Sequence, residues 1–330
     1  MRHRNNFDAL RLLGAMLVLV SHQYGLADRP EPNVWPTVSL GTFGVFMFFS
    51  ISGYLVSKSW LADPDPYRFT LRRFLRIWPG MAVALIVSLV FVTTLVTRQW
   101  SMAVPYLSNL ACPGCADGQF FPGNRFGQLY GSLWTIPLEI QCYALLMFAA
   151  LMFKHRLRIC MKVAIGLLIA QAIASIAAIP WLTWPVGQMG AFFLMGCLLG
   201  LNEAMVRKPL IPVLSGLLVV AAGALTIGLA LSLSVAVVYV GNRSWPLLRD
   251  AGRWGDYSYG VYLYAWPVQQ YLVWKLGKQA SIPELMTTSI VVTFALAFAS
   301  WHLVEARALR FKPYRPSGPV GTPASTRGLT

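Results

Sequence analysis

The chain has 330 residues, of which 56% are hydrophobic and 12% charged. Soluble domains carry about 25% charged residues, so this composition excludes an ordinary soluble fold and points to helices that fill a bilayer. A net charge of +15 suggests nucleic acid in a soluble protein, but here most basic residues stand in short connections between apolar runs, where they report topology instead.

Stretches of about 20 apolar residues cross a membrane as helices. Ten spans are predicted, at residues 9–27, 38–58, 78–98, 132–153, 161–180, 185–203, 210–228, 230–246, 258–275 and 285–305. No charge divides the seventh from the eighth, and a tight hairpin is expected near Leu229–Ser234. Ten spans put both termini on one side. With the N-terminus cytoplasmic, only Arg29, Arg98, Arg125, Lys275 and Lys278 of the 27 Lys and Arg fall outside, as the positive-inside rule requires. The expected fold class is an all-α integral membrane protein, a bundle of about ten transmembrane helices with N- and C-termini cytoplasmic. Residues 1–312 form one membrane domain. The tail 313–330, rich in Pro, Gly, Ser and Thr, is expected to be disordered. No inverted repeat of the transporter kind is visible.

The first span begins like a signal peptide after Arg2 and Arg4. Arg11 interrupts its apolar core, and no convincing small-residue cleavage site follows His22, so a retained helix is expected. In RLLGAMLVLVSH, eleven residues separate Arg11 from His22 in register, about 1,100° of helical turn, within about 20° of three full turns. The two therefore share a face, about 16 Å apart along the axis, and Asp8 shares it too. Charge on such a face is costly against lipid, so it is expected to point into the bundle or a wet cavity. Taken alone, His22 reads equally as a neutral histidine hydrogen-bonded within the bundle. GVFMFFSISGYLV, residues 44–56, places Ser50, Ser52 and Gly53 in the second span, where small residues permit close packing.

In FTLRRFLRIWPG, residues 69–80, Arg73 and Arg76 stand one turn apart beside Arg72, in the loop before the third span. Arginine's planar fork suits phosphate, although this run alone also reads as ordinary positive-inside charge. Pro79 fits the first turn of the third helix. Cys112 and Cys115, in ACPGCADG, fall in the longest outside loop. Two further zinc ligands are lacking nearby, so a local disulfide is expected rather than free thiols; Cys142, Cys160 and Cys197 read as packing residues.

GSLWTIPLEIQCY opens the fourth span from the outside. Glu139 falls about 12 Å below its outer end, and His22 about 7 Å below the outer end of its own helix. Equal depth suggests a dyad in which Glu139 orients the imidazole of a basic His22, or a structural pair that only neutralises itself. GDYSYGVYLYAWPVQQ, residues 255–270, opens the ninth span with an interfacial aromatic belt, a Pro267 that removes a helix hydrogen bond, and Gln269 and Gln270 that need partners.

FDALRLLGAMLVLVSH, GVFMFFSISGYLV, RRFLRIWPG, SLWTIPLEIQCY and YSYGVYLYAWPV, in this order over residues 5 to 310, resemble the membrane acyltransferase-3 family. The resemblance implies an O-acyltransferase of the inner (plasma) membrane, in most cases an O-acetyltransferase. It implies an acyl group, usually acetyl, moved from cytoplasmic acetyl-CoA or another acyl-CoA onto a hydroxyl. The implied acceptor is a surface or exported glycan, such as polysaccharide or lipopolysaccharide, or a lipid-linked saccharide. By motif it implies Arg11 and His22 as the functional pair, Glu139 as the acidic residue of the fourth span, and Arg73 and Arg76 as the arginines linked to acyl-CoA. Arg72 beside them is expected to join the cofactor site, His22, Glu139 and Arg11 to form the catalytic set, and no metal is expected. The chain departs from the family at Ala265, where many members carry His, and it has no appended esterase-like domain. A proton-coupled transporter using Arg11, His22 and Glu139 as a polar relay, or a non-catalytic scaffold for glycan assembly, are the other readings.

Overall fold

A computed structural model describes residues 5–116, 118–153, 185–202, 204–221, 225–277 and 280–313, with single positions at 159, 162, 163 and 166. Nine long helices stand among the described residues: α1 Phe7–Leu26, α2 Leu40–Ala62, α3 Pro66–Val92, α4 Thr135–Phe153, α5 Pro185–Leu201, α6 Leu210–Ala221, α7 Leu225–Asn242, α8 Ser258–Leu276 and α9 Ile282–Ser300. Five stretches, beginning at α1, α2, α3, α4 and α9, are long and apolar enough to cross a membrane. The protein is an all-α, multi-pass membrane protein. Its small strands, Asn33–Trp35 and Val38–Ser39, form one antiparallel hairpin between α1 and α2. Apart from the single positions 162, 163 and 166, the expected span 161–180 lies outside the described residues, as does all but the first residue of the 313–330 tail.

Helix α2 is the hub, packed between α1 and α5. Ser39 caps it by accepting from the Thr42 amide at 3.2 Å, which satisfies one of the free donors at a helix start. Gly53 of α2 lies against the Phe193 carbonyl of α5, and Gly196 of α5 against the Ser50 carbonyl. Any side chain at either place would strike backbone, so the two helices meet at the distance that only glycine allows. On the other side, Ser21 meets Gly41 and Gly14 meets Gly44. This fixes α1 and α2 as antiparallel and sets their relative heights.

Two expectations about helix limits are corrected. Helix α3 begins at Pro66, not near residue 78, because Asp65 caps the Arg68 amide at 2.7 Å and Pro66 supplies a preset first turn. Pro79 is therefore inside the helix, and the arginine cluster lies on α3 rather than in a loop. The hairpin expected at Leu229–Ser234 is instead helical, inside α7, while α6 is described to Ala221 and α7 from Leu225. Gly216 and Gly228 approach each other's helix across this pair.

The segment before α4 is the feature that most affects the site. Residues 119–134 are not helical, yet Phe120, Phe121, Leu129, Ser132 and Leu133 are buried. The segment runs alongside α8, whose side chains hold its backbone. Gln270 donates to the Phe126 carbonyl and, at 3.0 Å, to that of Gln128; Trp266 Nε1 also donates to Gln128, at 3.1 Å, and Tyr262 donates to Ser132 at 2.6 Å. Asn124 returns a hydrogen bond to the Gln270 side chain at 2.7 Å. Non-helical backbone is tolerated at membrane depth only where protein satisfies it in this way.

Candidate active site

The N-terminal end of α1 meets the start of α8 and the first half of α3. Arg11 binds Asp8, one turn before it on α1, and reaches Asp256 Oδ2 at 3.0 Å. Arg76 of α3 reaches the same oxygen at 2.6 Å, while the Ser258 hydroxyl donates to Asp256 Oδ1. Asp256 thus ties α1, α3 and α8 together. Burial works to raise its pKa, but the Arg11 and Arg76 guanidiniums, with Ser258, hold the carboxyl well below the usual carboxylate range.

The three arginines of α3 differ in how they are neutralised. Arg72 is paired with Asp63, which also binds Arg68. Hydrogen bonds from Arg68 first, and from Arg72, keep the Asp63 carboxyl low. Arg76 is paired with Asp256. Arg73 makes no ion pair with a described residue. It touches Ser59 at 3.4 Å and lies over the rings of Phe69 and Tyr143. Among these side chains, Arg73 is the cation whose charge is left for an incoming anion.

Two neighbouring cavities share Arg11, Leu55, Arg73 and Arg76 in their walls. The outer one, a vestibule of about 260 Å³, is lined by Arg72, Lys312, Asp8 and Asp256 as well. The inner one, a chamber of about 130 Å³, is lined by Ser52, Glu139, Tyr143, Thr135 and Tyr262. Within it Glu139 accepts from Ser52 at 2.8 Å and from Tyr143, and the Ser52 and Tyr143 hydroxyls lie 2.7 Å apart. Phe48, Tyr262 and Thr135 line the same chamber. The Phe48 and Tyr262 rings meet edge to face at 5.9 Å, and Tyr262 and Thr135 share a hydrogen bond of 2.6 Å.

His22 is not among the residues that line the chamber. Its ring meets Trp266 of α8 edge on, with centroids 4.8 Å apart. Trp266 is fixed by Gln128, and Gly131 lies against its indole, where a Cβ would overlap the ring. Arg11 and His22 therefore both face α8, as their spacing implies.

The structure does not bring Glu139 to His22. Ser52, its partner, is eight residues past Gly44, about 12 Å further along α2 and toward the height of Arg11. The equal depth expected from sequence assumed that the fourth helix starts at the membrane edge. It starts at Thr135 instead, inside the bundle, because the buried segment 119–134 has already descended along α8. Glu139 accordingly belongs with Arg73 in the chamber.

Several contributors escaped the sequence reading. Asp256 stood in the quoted GDYSYG stretch without a role. With only 12 Asp and Glu against 27 Lys and Arg, the scarcity of acids was the one available signal. Glu305 is a second such acid, buried beside Gly80 and Tyr259 and accepting from Ser300 at 2.9 Å. Tyr143 and Tyr262 gave no signal beyond aromaticity. Cys112 and Cys115 form the expected disulfide.

Fold and site together define a multi-pass membrane protein built round a cationic chamber that shares its arginines with a neighbouring vestibule. Residues 4–303 match the family model described as an acyltransferase domain, acyltransferase-3. The chain is 30% identical to the O-acetyl transferase of Shigella phage Sf6, over 93% of this chain and 97% of that protein. It is 27% identical to a putative membrane-bound transacylase, BcsY, of Komagataeibacter xylinus, over 95% and 85% of the two chains. A shorter stretch, 24% of this chain, is 38% identical to nodulation protein 10 of Rhizobium leguminosarum bv. viciae. No solved structure matches the chain. The chain belongs to the acyltransferase-3 family, and it is a membrane acyltransferase.

Proposed function

We propose that the protein is an O-acetyltransferase that takes an acyl group from cytoplasmic acyl-CoA and places it on a hydroxyl of a cell-surface or exported glycan. In this reading ten helices cross the inner membrane with both termini cytoplasmic, so the Arg11 end of α1 faces the cytoplasm and the His22 end the outside. The observation that carries it is the pair of cavities that share Arg11, Arg73 and Arg76 in their walls, beside a helix whose same face bears His22. The relatives' names support acyl transfer; the donor and acceptor are inferred from the charge and position of the cavities.

The anionic nucleotide end of acyl-CoA binds at Arg73, with Arg72 and Arg76 beside it. A long, uncharged pantetheine arm then suits the roughly 16 Å from Arg11 to His22. An acceptor hydroxyl enters from the outer side and gives its proton to neutral His22. Its oxygen attacks the thioester carbonyl, the C–S bond breaks, and the departing thiolate takes the proton back from His22. The alternative order, with the acyl group resting on His22 as a covalent intermediate, uses the same residues. Glu139 acts in the chamber, where it holds the Ser52 and Tyr143 hydroxyls and faces Arg73.

His22→Ala should insert and purify normally yet lose transfer by about 10²–10⁴-fold, read as glycan acetylation by mass spectrometry in cells that lack the native chain. Transfer close to wild type would remove His22 from the chemistry. Uptake of a solute by reconstituted vesicles, independent of acyl-CoA, would favour a transporter instead.

A further inference from the structure

On the side of α8 away from α1, the helix faces α3 and α9 across an apolar crevice. Its volume is about 280 Å³, near the lower end of the roughly 300–1,000 Å³ of small-molecule sites. Phe91, Leu129, Pro267, Tyr271, Val292 and Leu296 form its walls. Of the polar side chains there, the Ser88 hydroxyl is already paired with Tyr130 at 3.0 Å. Such walls recognise hydrocarbon and nothing that needs a hydrogen bond. The crevice is not an ordinary lipid-facing groove, because its back wall is Leu129, fully buried within the segment that descends along α8. The next residue, Gln128, holds Trp266 against His22, and Pro267 follows Trp266 directly. One peptide therefore separates the crevice from the histidine side of the site.

The mouth carries the second observation. Phe91 and Tyr271 meet edge to face at 5.0 Å, and two exposed cations follow them along the same two stretches of chain. Lys275 lies one turn past Tyr271 on α8, and Arg98 follows α3 with a left-handed backbone. Neither forms an ion pair with a described residue. Both are among the few basic residues assigned to the outer side. An apolar slot whose walls are followed, about one to two helical turns on, by two exposed cations without a described ion pair complements an amphiphile with a hydrocarbon tail and an anionic head.

We propose that this crevice binds the hydrocarbon chain of a phosphate-bearing lipid that carries the saccharide acceptor, with the phosphate at Arg98 and Lys275. The inference rests on the reading of His22 as the acceptor-side base. It adds that the acceptor arrives laterally from the membrane, anchored to lipid, and that the sugar turns inward over the Gln128–Leu129 peptide.

The test uses the full protein in nanodiscs of zwitterionic lipid, with farnesyl phosphate as the probe and farnesol as its uncharged control, retained ligand being read by native mass spectrometry. Leu296→Trp fills the crevice; Arg98→Gln with Lys275→Gln changes only exposed side chains and keeps the result decisive if the first variant misfolds. Wild type should retain farnesyl phosphate at least tenfold better than the double variant, and farnesol should be insensitive to the double variant. With a lipid-linked saccharide as acceptor, both variants should raise its KM at least tenfold while leaving transfer to a water-soluble saccharide unchanged. Equal retention of farnesyl phosphate by wild type and the double variant would overturn the proposal, as would an ordinary two-chain phospholipid outcompeting it. Absence of any transfer by wild type would instead refute the acyltransfer reading, and the retention measurement would still decide the crevice.

Discussion

Asp256→Asn tests the claim that one carboxylate organises the cytoplasmic end of the site. The substitution keeps shape and the Ser258 contacts but removes the shared charge 3.0 and 2.6 Å from Arg11 and Arg76, leaving Arg11 with Asp8 alone and Arg76 without its carboxylate partner. Breaking a buried pair by removing one partner costs about 3–5 kcal/mol. Both arginine side chains are about a quarter exposed, so a discounted loss of about 2–3 kcal/mol is expected. The assay is thermal unfolding in detergent across pH. Because the native pKa of Asp256 is depressed, its stabilisation is fully present above the unfolded value of about 3.9 and is lost as pH falls toward the native value. Wild type should therefore lose stability in acid relative to Asp256→Asn, and the two curves should converge there. The affinity for acyl-CoA should weaken as well, since the arginines lose their shared anchor. An unchanged melting temperature at neutral pH, with parallel acid curves, would refute the role assigned to Asp256.

Arg73→Ala should cost about 1.5–3 kcal/mol of donor binding, roughly 10- to 100-fold in affinity, measured by calorimetry. Arg72→Ala should cost less, because Asp63 already neutralises that side chain. Equal losses would undo the distinction between them. Glu139→Gln keeps an acceptor oxygen for Ser52 but removes the charge facing Arg73; donor affinity should tighten by on the order of 1 kcal/mol, about fivefold, which a donor KM series would reveal. Gly131→Val should push the Trp266 indole away from His22. An overpacking cost of about 1–3 kcal/mol and a fall in kcat with unchanged donor KM are expected, with helix content by circular dichroism unaltered.

The shared face of Arg11 and His22 was legible because helical phase is a local property, and no packing can alter which residues stand three turns apart. The arginine cluster was legible as chemistry but misplaced as structure. Asp65 and Pro66 start α3 a dozen residues early, and a hydropathy reading weighs charge as the end of a span. The Glu139–His22 dyad failed for a different reason. Depth computed from a helix end presumes that the connection before it lies at the surface, and the side chains that bury this one, Gln270, Trp266 and Tyr262, come from more than a hundred residues later. Asp256 is the same case. Its partners are 245 and 180 residues away, and nothing local distinguishes it from a turn aspartate.

The segment 119–134 has a consequence for length. Loops ordinarily absorb an inserted residue at small cost. This one is hung on α8 at Gln270, Trp266 and Tyr262, whose spacing is set by the helix, and it ends by delivering Glu139 to Arg73. One extra residue between Gln128 and Ser132 would slip every later carbonyl off its donor, or drag α4 along its axis and carry Glu139 out of the chamber. The segment works as a ruler, and the helix beside it supplies the graduations.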